Sequence, residues 1–229
     1  AEAPFRMAVQ WVNRPSHDFR GFSGQVASGR IAPGDAVRIL PSGRTSTVAR
    51  VVTHSGDLAE AVAGQSITLT LADEVDCSRG DVIALAADPP HAADQFEATV
   101  VWMDEEAMVA GRGYWLKLGT RTVTAHIAAP KYQLNVNTLE HLAAQSLELN
   151  AIGVAEVTTD RELVFEAYDA GHGAPPNRVL GGFILIDKLT NATVAAGMLH
   201  AAYTKAPQLC TGPQASITSA RAASALWKP

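Results

Sequence analysis

The sequence is poor in cysteine, in basic charge and in long apolar runs, and each shortage excludes a class of protein. Two of its 229 residues are cysteine, and 18 basic residues stand against 23 acidic ones. No apolar run approaches the roughly twenty residues of a membrane-spanning helix, so we expect no membrane segment. The net charge is −5, and the sequence has no basic block that would bind nucleic acid or an anionic membrane.

Motifs that bind nucleotides or activate a nucleophile are also missing. A P-loop needs a lysine after its glycines, and the glycine-rich stretch 21–34 contains none. GxGxxG does not occur, and GFSGQ fails the GxSxG pattern at Gln25. The glycines of 21–34 therefore predict bulges and tight turns in a curved sheet. We predict no catalytic, cofactor-binding or metal-binding residue in the chain.

The cysteines and histidines show no spacing typical of a site. Cys77 and Cys210 match no metal or redox motif; a disulfide is one interpretation, and two unpaired thiols in a cytosolic protein is the one we favour. Seven histidines are scattered without HExxH, so a metal site would have to assemble from distant residues, whereas solvated or core histidines are commoner. The acidic run 104–106 predicts a solvated turn.

The pattern that is present is one of short strands separated by turn residues. Phe5, Met7, Val9 and Trp11 alternate with polar or small residues, and the turn sequences APGD and PSGR follow. A proline-containing stretch at 86–95 predicts a linker, after which alternation restarts in FEATVVWM and YWLKLGTRTVTAHIA. The pattern predicts an all-β chain of antiparallel barrels or sandwiches.

We divide the chain into a β-barrel at 1–88, a second β-barrel at 92–201, and a linker or tail at 202–229 whose composition is rich in alanine and serine. The segment 152–168 predicts two strands, and 178–199 predicts two more around a turn near 189–193. The segment 137–150 is ambiguous, and we predict a short helical or irregular start followed by a strand from about Leu147.

The stretch GHGAPPNRVLGG, residues 171–182, predicts an exposed loop that leads into a core strand. Its arginine, Arg178, is a surface charge, an ion-pair anchor or an interface contact. We name Arg178 as the one candidate interface residue.

Longer strings carry a resemblance to a known family. GQVASGRIAPGD and RVLGGFILIDKLTNATVAAGML resemble elements of domains II and III of translation-factor GTPases, which are tandem antiparallel β-barrels. Together with PFRMAVQWVNRPSHDFRGFSG, LPSGRTSTVARVVT and DCSRGDV, they are similar to the large, GTP-regulated subunit of bacterial sulfate adenylyltransferase (ATP sulfurylase). The resemblance covers about residues 4–200. Ala8 stands where that family usually has proline, and 137–150 departs from its more charged segment.

The resemblance implies a cytoplasmic enzyme of sulfate assimilation and cysteine biosynthesis, a nucleotidyltransferase in which GTP hydrolysis drives adenylylsulfate formation from ATP and sulfate. It implies that GTP and magnesium bind in a GTPase domain outside this chain, and that this piece alone has no activity. The implied partners are that GTPase domain, the small catalytic subunit and, in the bifunctional form, an adenylylsulfate kinase domain. Because the chain begins at Ala1 in a strand-like pattern, we expect a piece of something longer.

Two other functions compete with this expectation. Translation-factor barrels contact RNA, so an RNA- or protein-binding module is the first alternative, although the acidic balance argues against nucleic acid. The second is an independent β-barrel enzyme whose site is built from scattered histidines and carboxylates.

Overall fold

The computed structural model describes residues 3–16, 19–169 and 177–203. Their backbone forms β-strands and one short α-helix, and none of the described helical structure is long and apolar enough to cross a membrane. The elements are β1 (Arg6–Ala8), β2 (Trp11–Ser16), β3 (Phe19–Ser28), β4 (Arg30–Ile31), β5 (Ala36–Leu40), β6 (Arg44–Thr53), β7 (Gly56–Leu58), β8 (Ala61–Val62), β9 (Ser66–Leu71), β10 (Val82–Leu85), β11 (His91–Trp102), β12 (Gly113–Leu118), β13 (Arg121–Ile127), β14 (Tyr132–Leu134), β15 (His141–Leu142), β16 (Ile152–Phe165), α1 (Arg178–Gly181), β17 (Gly182–Ile186) and β18 (Thr193–Ala202).

The first ten strands build a closed antiparallel barrel. Its hydrogen-bonded order is β1, β10, β5, β6, β9 and β3, and β3 pairs again with β1 to complete the circle. Closure satisfies the strand edges that an open sheet would leave free. The side chains that alternate inward form one apolar core, whose largest members are Phe5, Met7, Phe22, Ile31, Ile39, Leu69 and Ile83.

Glycines allow this barrel to curve, as the sequence predicts. At Gly24, where β3 crosses β1, an added Cβ would lie 2.5 Å from the carbonyl oxygen of Ala8. Gly29 has a φ of +69°, and its added Cβ would lie 2.4 Å from the backbone nitrogen of Phe5. Gly34, with a φ of +95°, follows Pro33 in the turn before β5, as the predicted type II turn requires.

The remaining strands build a second closed barrel, in the order β11, β18, β17, β12, β13 and β16, with β16 pairing back to β11. The predicted alternation is confirmed, because the alternating apolar residues from Phe96 to Ile127 in β11 to β13 are buried. These residues are Phe96, Ala98, Val100, Trp102, Tyr114, Leu116, Leu118, Val123, Ala125 and Ile127. The prediction of an all-β chain with two antiparallel barrels is therefore confirmed.

Four local predictions are wrong. No strand begins at Leu147; its buried side chain packs over Gly153, and β16 starts only at Ile152. The segment 152–168 supplies one long strand, because a register shift against β11 bends β16 without ending it. Half of the predicted linker belongs to β11, which begins at His91. The alternation places Trp11 on the buried face with Phe5, Met7 and Val9, but Trp11 is 68% exposed.

Candidate interface at the junction of the two barrels

Two neighbouring strands of the first barrel, β1 and β10, are buried on both faces. Met7 and Ile83 point into the barrel core, whereas Arg6, Ala8 and Ala84 point outward and are nevertheless 6% exposed or less. In the ladder, Arg6 lies opposite Ala84 on β10. An outward face that is buried in this way must be covered, and the second barrel covers it.

The apolar part of the junction joins both barrels and α1. Leu40 and Val82 of the first barrel pack with Val164 of β16 and Leu180 of α1 in one buried cluster that also contains Ala84. Leu180 is only 2% exposed although its helix has four residues. The burial of this cluster holds α1 against both barrels.

Arg6 is the charged centre of the junction. Its Nε donates to Glu166 Oε1 at 2.7 Å, its Nη1 donates to the Phe5 carbonyl at 3.0 Å, and its Nη2 lies 4.0 Å from Asp88 Oδ1. Glu166 Oε2 accepts a hydrogen bond from Asn177 Nδ2 at 2.6 Å, and Asn177 Oδ1 accepts one from the Leu180 N–H at 3.1 Å. One carboxylate thus links β1, β16 and the cap of α1.

A second ion pair crosses the junction. Arg121, at the start of β13, donates from Nη1 to Asp81 Oδ1 at 3.2 Å, and both side chains are less than a quarter exposed. Gly80 has a φ of +97°, and a Cβ added there would lie 3.6 Å from Arg121. The left-handed turn before β10 therefore brings Asp81 toward the second barrel.

Arg178 lies at the rim of this junction. It is the first residue of α1, between the capping Asn177 and the packed Val179, and its side chain is exposed. Within the described residues no hydrogen bond or ion pair of its guanidinium is recorded; its carbonyl accepts the N–H of Gly182. The neighbouring residues 170–176 lie outside the described part of the chain. An interface role for Arg178 stays a prediction.

Each barrel matches a known family model. Residues 22–84 match the family model of elongation factor Tu domain 2, and residues 95–200 match that of the GTP-eEF1A C-terminal domain-like family. A solved structure of sup35 complexed with GDP superposes with a TM-score of 0.77 and 18% identity, over 88% of this chain and 48% of that one. That likeness shows the fold alone.

Two relatives are much more similar to this chain in sequence than sup35 is. The chain is 52% identical over 193 residues to the bifunctional enzyme CysN/CysC of Xylella fastidiosa, covering 84% of this chain and 30% of the relative. It is 48% identical over 196 residues to sulfate adenylyltransferase subunit 1 of Shewanella woodyi, covering 86% of this chain and 40% of the relative. This chain is homologous to part of sulfate adenylyltransferase subunit 1. It spans less than half the length of these relatives.

The sequence did not single out the network that ties these two family barrels together. Arg6, Glu166 and Asn177 are separated by up to 171 positions, and Arg6 follows the strand alternation as an ordinary outward residue would. One signal was available: in DVIAL, residues 81–85, Val82 and Ala84 are apolar as well as the inward Ile83. A strand without polar alternation is typical of burial on both faces.

Among the described residues, no three histidine, cysteine, aspartate or glutamate side chains are grouped in a way that could hold a metal ion. Cys77 is a free, buried thiol. Burial, with a smaller contribution from Asp81, raises its pKa to about 12, so it is a poor nucleophile at neutral pH. Cys210 lies outside the described residues.

Proposed function

We propose that this chain is the β-barrel part of the large subunit of a sulfate adenylyltransferase. In this role it couples GTP hydrolysis in a GTPase domain to the formation of adenylylsulfate from ATP and sulfate in a small catalytic subunit. The observation that carries the proposal is the 52% identity to the bifunctional enzyme CysN/CysC over a stretch that includes both barrels. GTP and magnesium would bind in the GTPase domain, and no residue of this chain is assigned to them.

The junction supports a mechanical role. Two ion pairs and a buried apolar cluster join the barrels, so the pair is suited to move as one body when an attached domain changes its nucleotide state. A second interface is then needed to pass that movement to the catalytic subunit. Arg178, exposed at the rim of the junction, is the interface residue that the sequence names, and no partner is assigned to it. A fused kinase domain is a further partner, as the word bifunctional in the name of the Xylella relative suggests.

A chimaera tests this function. The barrels of Shewanella woodyi subunit 1 are replaced by this chain, and GTP-dependent adenylylsulfate formation is measured with the small catalytic subunit of that organism. We expect GTP stimulation to persist, because the barrels are 48% identical. The control chimaera carries the sup35 barrels, which share the fold at 18% identity, and should lose stimulation. If the first chimaera folds and binds GTP but shows no stimulation, the proposed function is wrong.

A further inference from the structure

The second barrel has two ends with different surroundings. Because its strands alternate in direction, β11, β13 and β17 end where β12, β16 and β18 begin. The junction with the first barrel lies at the opposite end, which carries α1 and the start of β13. We call the end away from the junction the distal surface, and it consists of the half-buried Asp104 and the exposed side chains Met103, Glu105, Glu106, Val109, Glu148, Leu149 and Leu189.

Backbone hydrogen bonds fix the loop that follows β11, and the segment before β16, at the distal surface. The Met103 N–H donates to the Val194 carbonyl at 2.9 Å, and the Met108 N–H donates to the Leu147 carbonyl at the same distance. The Asn150 N–H donates to the carbonyl of Trp102, again at 2.9 Å. The backbone of the distal surface is therefore fixed at Met103, Met108 and Asn150.

Leu189 is presented to solvent by an ordered turn. Asp187 Oδ1 accepts the N–H groups of Leu189 at 2.8 Å and Thr190 at 2.9 Å, and its other oxygen accepts a hydrogen bond from Arg112 Nη2. These backbone N–H groups, assisted by Arg112, lower the pKa of Asp187 and keep it ionised. The Leu189 side chain is 84% exposed, and little entropy remains to be lost from its backbone on binding.

A cleft of about 500 Å³ lies beside Leu189. Trp102 and Tyr114 line its floor but are only 2% and 1% exposed, and the acidic run Asp104–Glu106 forms part of its wall. Carboxylates beside an apolar floor suit the cationic head and the aliphatic stem of a lysine or arginine. Arg112 already uses the site in this way, with its guanidinium 5.6 Å from the Tyr114 ring centroid.

The negative charge of the distal surface determines which kind of partner protein can bind there. Its carboxylates at 104–106 and 148 have no ion pair recorded within the described residues, whereas the nearby cations are engaged. Arg112 binds Asp187, and Lys188 donates to Thr124 Oγ1 at 3.0 Å while lying 4.3 Å from the Trp115 ring centroid. Two copies of this surface would repel each other, so the complementary partner is basic.

We propose that the distal surface docks a protein face that carries apolar side chains flanked by lysine or arginine, with Leu189 as its central contact. The inference rests on the proposed function, and it assigns this docking face to the small catalytic subunit. Exposed apolar side chains in one fixed surface are a common mark of protein contact. The GTPase domain would then contact one end of the barrel pair, and the catalytic subunit would contact the other end.

The test is binding of the full 229-residue chain to the catalytic subunit from its source organism, by biolayer interferometry at two salt concentrations. Leu189→Glu and Glu105→Lys should each weaken binding at least about tenfold, the size of one lost interface contact. Binding by the unaltered chain should also weaken as salt rises. Val62→Glu, at an exposed residue of the first barrel, is the matched control and should bind normally. Thermal melts check that each variant folds.

The outcomes separate the two proposals. If the unaltered chain binds but both distal variants bind equally well, this inference is overturned and the proposed function stands. Loss of binding in Arg178→Ala alone would place the contact at the junction rim and would also overturn it. If the unaltered chain does not bind and the chimaera is not stimulated by GTP, the proposed function is overturned together with this inference.

Discussion

Arg6 shows how one residue can serve two barrels. It belongs to β1 of the first barrel, yet its guanidinium is 2% exposed and pairs with Glu166 of the second. A buried ion pair is a weak source of net stability, because both groups lose their hydration. Its directional bonds do restrict how the two surfaces can fit together. We therefore interpret the Arg6–Glu166 pair as a determinant of barrel orientation.

Removal of one partner tests that interpretation. Glu166→Ala leaves the buried Arg6 charge without its 2.7 Å acceptor and should lower the free energy of unfolding by about 3 kcal/mol, measured by urea denaturation. Glu162→Ala, an exposed carboxylate on the same strand, should change it by less than about 0.5 kcal/mol. The double variant Arg6→Met with Glu166→Leu should recover most of the loss. An unchanged stability in Glu166→Ala would show that the pair does not hold the junction.

The sequence indicated Arg178 but not Arg6, and the reason is physical. Arg178 stands in a loop rich in glycine and proline, where an exposed charge attracts attention. Arg6 stands in a strand, and alternation distinguishes inward from outward but does not show what covers the outward side. Glu166 and Asn177 likewise gain their roles only when β1 arrives beside them.

At the scale of the element, α1 depends on close packing more than on helix propensity. Four residues are too few for a stable isolated helix, but Asn177 caps this one and Leu180 is buried. Gly181 lets the backbone of α1 approach Tyr168, since a Cβ there would lie 2.5 Å from the Tyr168 Cα. The sequence predicts a loop leading into a core strand here, and the turn of helix between them follows from these tertiary contacts.

Gly181→Ala should therefore displace α1 from the junction. The clash is with backbone, which cannot rotate away, so we expect a loss of about 1–3 kcal/mol in the free energy of unfolding. Gly113→Ala is the matched control, because its added Cβ would lie 3.2 Å from the end of the His126 ring, which can shift. Chemical denaturation followed by tryptophan fluorescence compares the two. Equal stability of both variants would contradict the role of close packing at α1.

Elsewhere the sequence predicted an element well where its local pattern determines the structure. It predicted an element poorly where contacts with distant residues determine the structure. The strands β12 and β13 followed from alternation alone. The segment 137–150 did not, because Leu147 is buried by its position over Gly153 rather than by any strand of its own, and its carbonyl accepts a hydrogen bond from the Met108 N–H. The bend in β16 comes from its register shift against β11, and nothing in the local sequence records that shift.

At the scale of the whole molecule, the junction determines whether the chain is one unit or two. Each barrel has its own core, and each could in principle fold alone. The cluster of Leu40, Val82, Ala84, Val164 and Leu180 belongs to neither core and joins them. Burial of this cluster, with the two ion pairs, makes the unfolding of one barrel costly for the other.

We therefore expect the chain to unfold in a single calorimetric transition, with a calorimetric enthalpy equal to the van't Hoff enthalpy. Leu180→Asp places a charge among the apolar side chains of the joining cluster and leaves the residues of both barrel cores unchanged. It should split the transition into two, each with an enthalpy in proportion to the size of one barrel. Leu139→Asp, at a residue 69% exposed, should keep the single transition. Two separate transitions in the unaltered chain would contradict this account, because a force applied to one barrel could then be lost at the junction before it reached the other.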